Sequence, residues 1–434
     1  MTNLYRVLSV FCLLMLTTFS FAVADSSRPN VLFIISDDLN NDIGTYGRPQ
    51  FLTPSIDALA QEGLQFNRAY CQFPLCNPSR SSMLSGLYPE QTEIYGNGTP
   101  IRERFSKIVT LPEHFKKNGY FTARIGKIFH YGVPGQIGTD GLDDPQSWDY
   151  VYNPIGRDKT EEVKVITITP GRYGGTLSWL AMDGSDEEQT DGIGATEAIR
   201  LLEEHKSSNT NQPFFLAFGL YRPHTPFVAP KKYFGLYPLE NITLPPIQHP
   251  REPVPAFQSE KGEEKAMTDQ QRKEAIQAYH AATTFMDAQV GRVLESLEHL
   301  GLRENTIVVF TSDHGYHLGE HGLWKKQSLF EQSARVPMII SVPGYKEKAR
   351  QTNSLSELVD LYPTLASLCD LPIPQHVMGT DLSPLLKKPK ISLNPIALTQ
   401  VRRVSSKSDR NRKYKGHTIR TARYRYTEWD RGEQ

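Results

Sequence analysis

The run Val31-Leu32-Phe33-Ile34-Ile35 is apolar at every position and breaks abruptly into Ser36-Asp37-Asp38. A short apolar stretch with no polar alternation reads as a strand buried on both faces, the pattern of a sheet covered by helices on each side. Thr306-Ile307-Val308-Val309-Phe310-Thr311 repeats it and ends in Ser312-Asp313-His314-Gly315. Phe121 to Ile125 and Pro213 to Phe218 add two further strands, each leading into a segment rich in Lys or His. Elsewhere the period is helical. Thr268 with Gln271 forms a capping box, and Ile276, Thr283, Met286, Val290, Val293 and Leu297 trace one face of a helix reaching Leu300. Thr53-Pro54 opens a helix through Leu59, a second starts near Pro78, and Leu358 to Leu368 is a third. From Tyr131 to about Gln189 there is little periodicity and much Gly, Asp and Pro, as expected of surface excursions around a site. Strands alternating with helices predict an α/β protein with a large, mostly parallel sheet, whose ligands gather at strand C-terminal ends. His417 to Thr421 and Tyr424 to Trp429 predict a small sheet near the C-terminus, with the charges of the basic 402–425 stretch facing outward.

With 434 residues and 38% hydrophobic content, one large domain and a smaller one are expected. Lys plus Arg and Asp plus Glu both number 48, so no global charge points to nucleic acid or to an anionic membrane. Arg6, the apolar run Val7 to Phe21 and then Ala22-Val23-Ala24 have the order of a secretory signal peptide, and residues 1–24 are set aside from the fold. That run is shorter than the roughly 20 residues of a spanning helix, so no stable membrane insertion is expected after cleavage. The chain is expected to be secreted or periplasmic, or lysosomal in a eukaryote. Cys71, Cys76 and Cys369 then remain, an odd number in an oxidising compartment, and at least one should serve something other than a disulfide.

The two acid-bearing strand ends, Asp37-Asp38 and Asp313-His314, come from distant parts of the chain yet occupy equivalent places on one sheet. Together they could hold a divalent cation. Three carboxylates favour calcium or magnesium, while the single imidazole leaves zinc or manganese open.

Between these ends lies Cys76-Asn77-Pro78-Ser79-Arg80. Here the sequence resembles the sulfatase family, whose signature is Cys-x-Pro-Ser-Arg at a helix start. Further matches follow in family order: Asp37-Asp38, Gly126-Lys127-Ile128-Phe129-His130, Arg222-Pro223-His224-Thr225-Pro226-Phe227, Ser312-Asp313-His314-Gly315, and Gly319 to Lys326. The Gly-Lys-x-Phe-His spacing, the Arg-Pro-His-x-Pro-Phe segment and the Asp-His pair look most like the iduronate-2-sulfatase branch. The resemblance covers roughly residues 28–430.

It implies an alkaline-phosphatase-like fold and a Cys76 converted by a maturation enzyme to formylglycine, whose hydrated form attacks sulfur and later expels sulfate. By the same resemblance Asp37, Asp38, Asp313 and His314 match calcium ligands, with modified Cys76 completing the shell. Arg80 matches the brace of the diol, and Lys127 the lysine that binds sulfate and diol. His130 matches the histidine that takes the diol proton. His224 and Lys326 match the pair that grips sulfate, one of which protonates the leaving alcohol; Lys325 is adjacent, and spacing from Trp324 favours Lys326.

The branch further implies a sulfated carbohydrate substrate, a 2-O-sulfated uronic acid of heparan or dermatan sulfate. Residues 25–390 are expected to form the catalytic domain and 391–434 a C-terminal antiparallel subdomain. Family members continue with another strand and helix beyond the point where this chain stops, at Gln434, so that subdomain is expected to be incomplete. Two alternatives stand beside this reading. One is a phosphoester or phosphonate hydrolase on the same scaffold, and the other a catalytically silent protein that binds sulfated glycans.

Overall fold

The computed structural model describes residues 28–208, 210–246, 262–345, 350–404 and 413–430; the expected signal peptide, 1–24, lies outside the described residues. The first apolar run is strand β1 (Asn30–Ser36), followed by α1 (Pro54–Glu62), β2 (Leu64–Phe66) and α2 (Cys76–Ser85). Then come β3 (Phe121–Gly126), β4 (Tyr150–Tyr152), β5 (Ser178–Met182), α3 (Thr190–Ser207), β6 (Phe214–Gly219) and β7 (Phe227–Pro230). The second half contributes α4 (Asp269–His299), β8 (Thr306–Ser312), β9 (Met338–Ser341) and β10 (Arg350–Thr352). A three-stranded antiparallel sheet follows, β11 (Ala397–Val404), β12 (Lys413–Arg420) and β13 (Arg425–Trp429).

The main sheet has eight strands in the order β10-β2-β9-β8-β1-β6-β3-β4, and only β9 runs against the others. Its centre is dry on both sides. Val31, Phe33 and Ile35 of β1 enter one apolar cluster with Met83 of α2 and the helical Leu361 and Leu365. Leu32 and Ile34 enter the other, with Leu59 of α1, Leu202 of α3 and Met286 and Val290 of α4. This two-sided burial is why the strand needs no polar alternation.

Helix α2 begins at Cys76, with extended Leu75 as its N-cap, so that Pro78 falls in its first turn as expected. The aperiodic 131–189 region differs from expectation in being more than excursion. β4 joins the edge of the main sheet beside β3, and β5 pairs with β7 and with Ile166–Thr167 in a separate sheet.

Register places the chemistry. Ile35 pairs with Thr311 and with Gly219, and Gly126 pairs with Gly219, so β8, β1, β6 and β3 end side by side. Gly126 has φ +68, and a Cβ there would stand 2.1 Å from Gly219 O, which leaves glycine as the residue that lets β3 turn off the sheet at once.

His280 on α4 is fully enclosed, stacked on Phe51 with ring centroids 3.5 Å apart, and burial pushes its pKa down to about 3. The unfolded chain binds that proton near pH 6.5 and the folded chain does not, so stability should fall as pH drops below about 6.5. His280→Phe should therefore melt above the wild type at pH 5 and show a smaller difference at pH 8, measured by thermal unfolding. An equal difference at both pH values would assign the acid sensitivity to other groups.

Candidate active site

Four adjacent strand ends and one helix build a single buried centre. Asp37 and Asp38 follow β1, Asp313 and His314 follow β8, Lys127 follows β3, and Arg222 and His224 follow β6. Cys76 opens α2, placing position 76 at the end of the helix where unpaired N–H groups and the dipole favour negative charge.

The acids are interlocked. Asp38 N and His314 N both donate to Asp313 Oδ1, at 3.1 and 3.0 Å. Arg80, one turn into α2, donates Nε to Asp313 Oδ2 at 2.9 Å and Nη2 to Asp37 Oδ1 at 3.2 Å, and its Nη1 to the carbonyls of Lys127 and Ile128. Its guanidinium is thus spent on acids and backbone. Ser79 Oγ donates to Asp313 O. Lys127 Nζ lies 2.5 Å from Asp37 Oδ2, and Lys326 Nζ 2.5 Å from Asp38 Oδ1.

Around the Cys76 sulfur stand Lys326 Nζ at 3.2 Å, His314 Nε2 at 3.4 Å and Asp38 Oδ1 at 3.9 Å. His224 Nε2 is 3.7 Å from Asp38 Oδ2, while its Nδ1 lies 2.6 Å from Thr225 O and must carry the proton for that contact. His314 is arranged alike, with Nδ1 3.0 Å from Gly315 O and Nε2 left facing the centre. Ligand atoms of Asp37, Asp38, Cys76 and His224, and of Asp37, Cys76, Asp313 and His314, form two sets whose members lie within 4.8 Å of one another.

The electrostatics follow from this packing. Burial and Cys76 push the Asp37 carboxyl up, but Lys127, His224 and Arg80 outweigh them and hold it below the usual carboxylate range. Burial also opposes the Cys76 thiolate, yet Lys127, Lys326, His314 and a hydrogen bond from His130 bring its pKa well below that of a free thiol. His130 is driven down, chiefly by burial and by Lys127, against the pull of Cys76. Lys326 is raised by Asp38 and Cys76 against its own burial.

All ten residues singled out in the sequence converge here. Lys325 turns away, its Nζ held by Glu263 at 3.1 Å and by Glu264. Tyr316 is packed against Phe227 and Tyr279 in an apolar cluster, and His321 stacks on Phe330 at 4.1 Å. Cys71 and Cys369 are buried and free.

Sequence reading missed the residues that hold these groups in place. Asp38 sits at φ +67, a conformation uncommon outside glycine, and Tyr279 of α4 pins it: the hydroxyl donates to Asp38 O at 2.8 Å and accepts from Asn40 N at 2.9 Å. Asp191 accepts from Tyr221 N and Arg222 N, both at 2.9 Å, and Asp158 pairs with the Arg222 guanidinium, fixing the segment that carries His224. A tyrosine in a long helix and two acids in the first turns of helical segments carry no local signal of such duty.

A sequence profile of the sulfatase family matches residues 29–371, and one for the C-terminal part of N-sulphoglucosamine sulphohydrolase matches 319–429. The chain belongs to the sulfatase family. This sulfatase, an enzyme that hydrolyses sulfate esters, is similar to iduronate 2-sulfatase of Mus musculus and of Homo sapiens, at 36% identity in each case over 92% of this chain and 84% of the relative. Its fold is the alkaline-phosphatase-like one of its structural neighbours, which include the phosphonate monoester hydrolase of Agrobacterium radiobacter. The two superpose with a TM-score of 0.72 and 22% identity, over 93% of this chain and 87% of that one.

Removing the Tyr279 hydroxyl should loosen Asp38 without opening the core. Tyr279→Phe is expected to weaken divalent-cation affinity by about 10- to 100-fold, the usual cost of losing an outer partner of a metal ligand. Calcium titration followed by calorimetry checks it. Wild-type affinity in the variant would show that the backbone turn holds Asp38 unaided.

Proposed function

We propose that this sulfatase releases sulfate from a 2-O-sulfated uronic acid, such as iduronate at a non-reducing end of heparan or dermatan sulfate, through a formylglycine made from Cys76 and one calcium ion. The observation that carries the proposal is the convergence of Lys127, Lys326, His130 and His224 on position 76, above buried Asp37, Asp38, Asp313 and His314. The relatives named iduronate 2-sulfatase support the substrate.

The donor set fits a metal. Asp38 Oδ2 is buried without a hydrogen-bond partner, an arrangement that is costly unless a cation completes it. Three carboxylates and one imidazole nitrogen, with an oxygen at position 76, make a hard-ion site. Calcium held by Asp37, Asp38, Asp313 and His314 would supply charge neutralisation and Lewis acidity. Formylglycine at position 76, made by a maturation enzyme, would supply in its hydrated form the hydroxyl nucleophile.

The chain's own residues do the rest. Lys127 and Lys326 hold the equatorial charge of the sulfate as it grows in the transition state. Arg80 bridges Asp37 and Asp313 and holds the two carboxyl groups aligned under position 76. With Nδ1 donating to Thr225 O, the His224 ring in its imidazolium form carries a second proton on Nε2, which it hands to the leaving oxygen. His130, kept neutral mainly by burial, takes a proton from position 76 as sulfate is expelled. We further propose that residues 1–24 are a cleaved leader, that the protein is secreted, periplasmic or lysosomal, and that 25–390 form the catalytic domain and 391–434 its C-terminal subdomain. Among the described residues no helix is long and apolar enough to cross a membrane.

Peptide mass spectrometry of protein co-expressed with a maturation enzyme should find formylglycine at position 76, and Cys76→Ala should lose turnover while melting as the wild type does. Unmodified thiol in fully active protein would overturn the mechanism. His224→Ala should slow a sugar sulfate by about 10²- to 10⁴-fold, the range of general acid catalysis, and nitrophenyl sulfate far less, because nitrophenolate leaves without a proton. Equal losses on both substrates would confine His224 to binding charge.

A further inference from the structure

The C-terminal sheet brings a cation to the loop that carries Lys326, and among the described residues no acid forms an ion pair with it. Val401 of β11 packs inward with Phe73, Leu75 and Leu329, residues of the segments that lead into Cys76 and away from Lys326. Side chains two apart on a strand share a face, so Arg403 follows Val401 to the inner side. Its Nη1 donates to Gln327 O at 2.6 Å. Gln327 is the residue after Lys326, and its N–H is tied to Pro74 O at 3.0 Å, two residues before Cys76. Lys325 and Gln327 both have left-handed backbones, φ +69 and +67, so the chain around Lys326 is folded tightly between the pocket and β11.

A guanidinium carries five N–H donors. Among the described residues, Arg403 makes that one hydrogen bond and has no carboxylate within ion-pair distance. The nearby acids are committed elsewhere: Glu263 and Glu264 to Lys325, Glu331 to Arg420 and Arg425, and Glu90 to Lys415 and His417. Burial pushes the Arg403 guanidinium pKa down, against the charge of Glu264. A partly buried arginine with spare donors, bonded to the backbone beside Lys326, is suited to take a planar anion in bidentate fashion.

Resting on the function proposed above, we infer that Arg403 is a specificity-determining residue that receives the second anionic group of the substrate, the carboxylate of the uronic acid whose sulfate lies at Lys127 and Lys326. In a hexuronic acid both anions are fixed to one ring. Holding sulfate at one end and carboxylate at the other sets the ring's orientation before reaction, which is where positioning contributes to rate.

The test compares methyl iduronoside 2-sulfate with its carboxyl-reduced counterpart, in wild type and in Arg403→Gln and Arg403→Lys. The wild type should prefer the carboxylate substrate in kcat/KM. Arg403→Gln should cut that preference about 10- to 100-fold, the size of a charge-assisted hydrogen bond, mainly through KM, and Arg403→Lys should restore part of it. Equal losses on both substrates, or on nitrophenyl sulfate as well, would overturn the inference and leave Arg403 as a brace for the Lys326 loop. The same equal loss with a second sulfate in place of the carboxylate restoring preference would overturn the carboxylate assignment. Wild type that cleaves nitrophenyl sulfate but neither sugar overturns the uronate reading together with this inference, whereas wild type that discriminates and Arg403→Gln that discriminates equally overturns the inference alone.

Discussion

Asp37, Asp38 and Asp313 are held wholly out of water, Asp37 having ligand atoms within 4.8 Å of each of the other two, and the surrounding structure answers that concentration of charge. Placing carboxylates in a low-dielectric interior costs several kcal/mol each unless cations and donors compensate. Here compensation comes from three directions. Arg80 arrives from α2, Lys127 from the end of β3 and Lys326 from the loop after β8, each with its charged atom against one or two of the acids. Removing any one partner would strand the others, so the positions of a helix, a strand and a loop are fixed by the same small cluster.

The parallel sheet makes that convergence possible. Residues 37, 127, 224 and 313 are far apart in sequence, but each lies just beyond the C-terminal end of one of four neighbouring strands in matched register. Helix α2 then lies with its first turn over those ends. All of its residues are buried, as a helix must be when its N-terminus serves as one wall of a charged site and its body packs on the sheet. The low thiol pKa at Cys76 is a consequence of this field, and the same field would stabilise an oxyanion in that place.

How much of this the sequence disclosed follows from how local each signal is. β1 and β8 were legible because an apolar run that stops at an acid marks both a buried strand and its end. α4 was legible because 31 residues of helical period with a capping box leave little choice. The basic residues of the site were legible only through resemblance, since a lone Lys or His is usually solvated. Tyr279, Asp158 and Asp191 were not legible at all. Their partners lie 30 to 241 residues away, and their side chains give no sign of the backbone groups they will meet. β5 escaped because two of its five residues are half-exposed and its sheet forms with Phe227–Pro230, beyond any local window.

The division of labour between the two sheets bears on specificity. Every group that touches position 76 comes from residues before 330, where the surrounding charges leave almost no freedom to substitute. The C-terminal sheet meets that core through Val401 and Trp429 against Phe73, Leu75 and Leu329, and through polar ties such as Thr399 Oγ1 to Cys71 O at 2.7 Å, Gln400 N to Gln72 O at 2.9 Å and the pairing of Arg420 and Arg425 with Glu331. None of these ties involves the buried acids, and one β11 residue, Arg403, reaches the backbone beside Lys326. Under the role inferred for Arg403, the sulfate chemistry stays in the strand ends while β11 reads the ring to which the sulfate is attached.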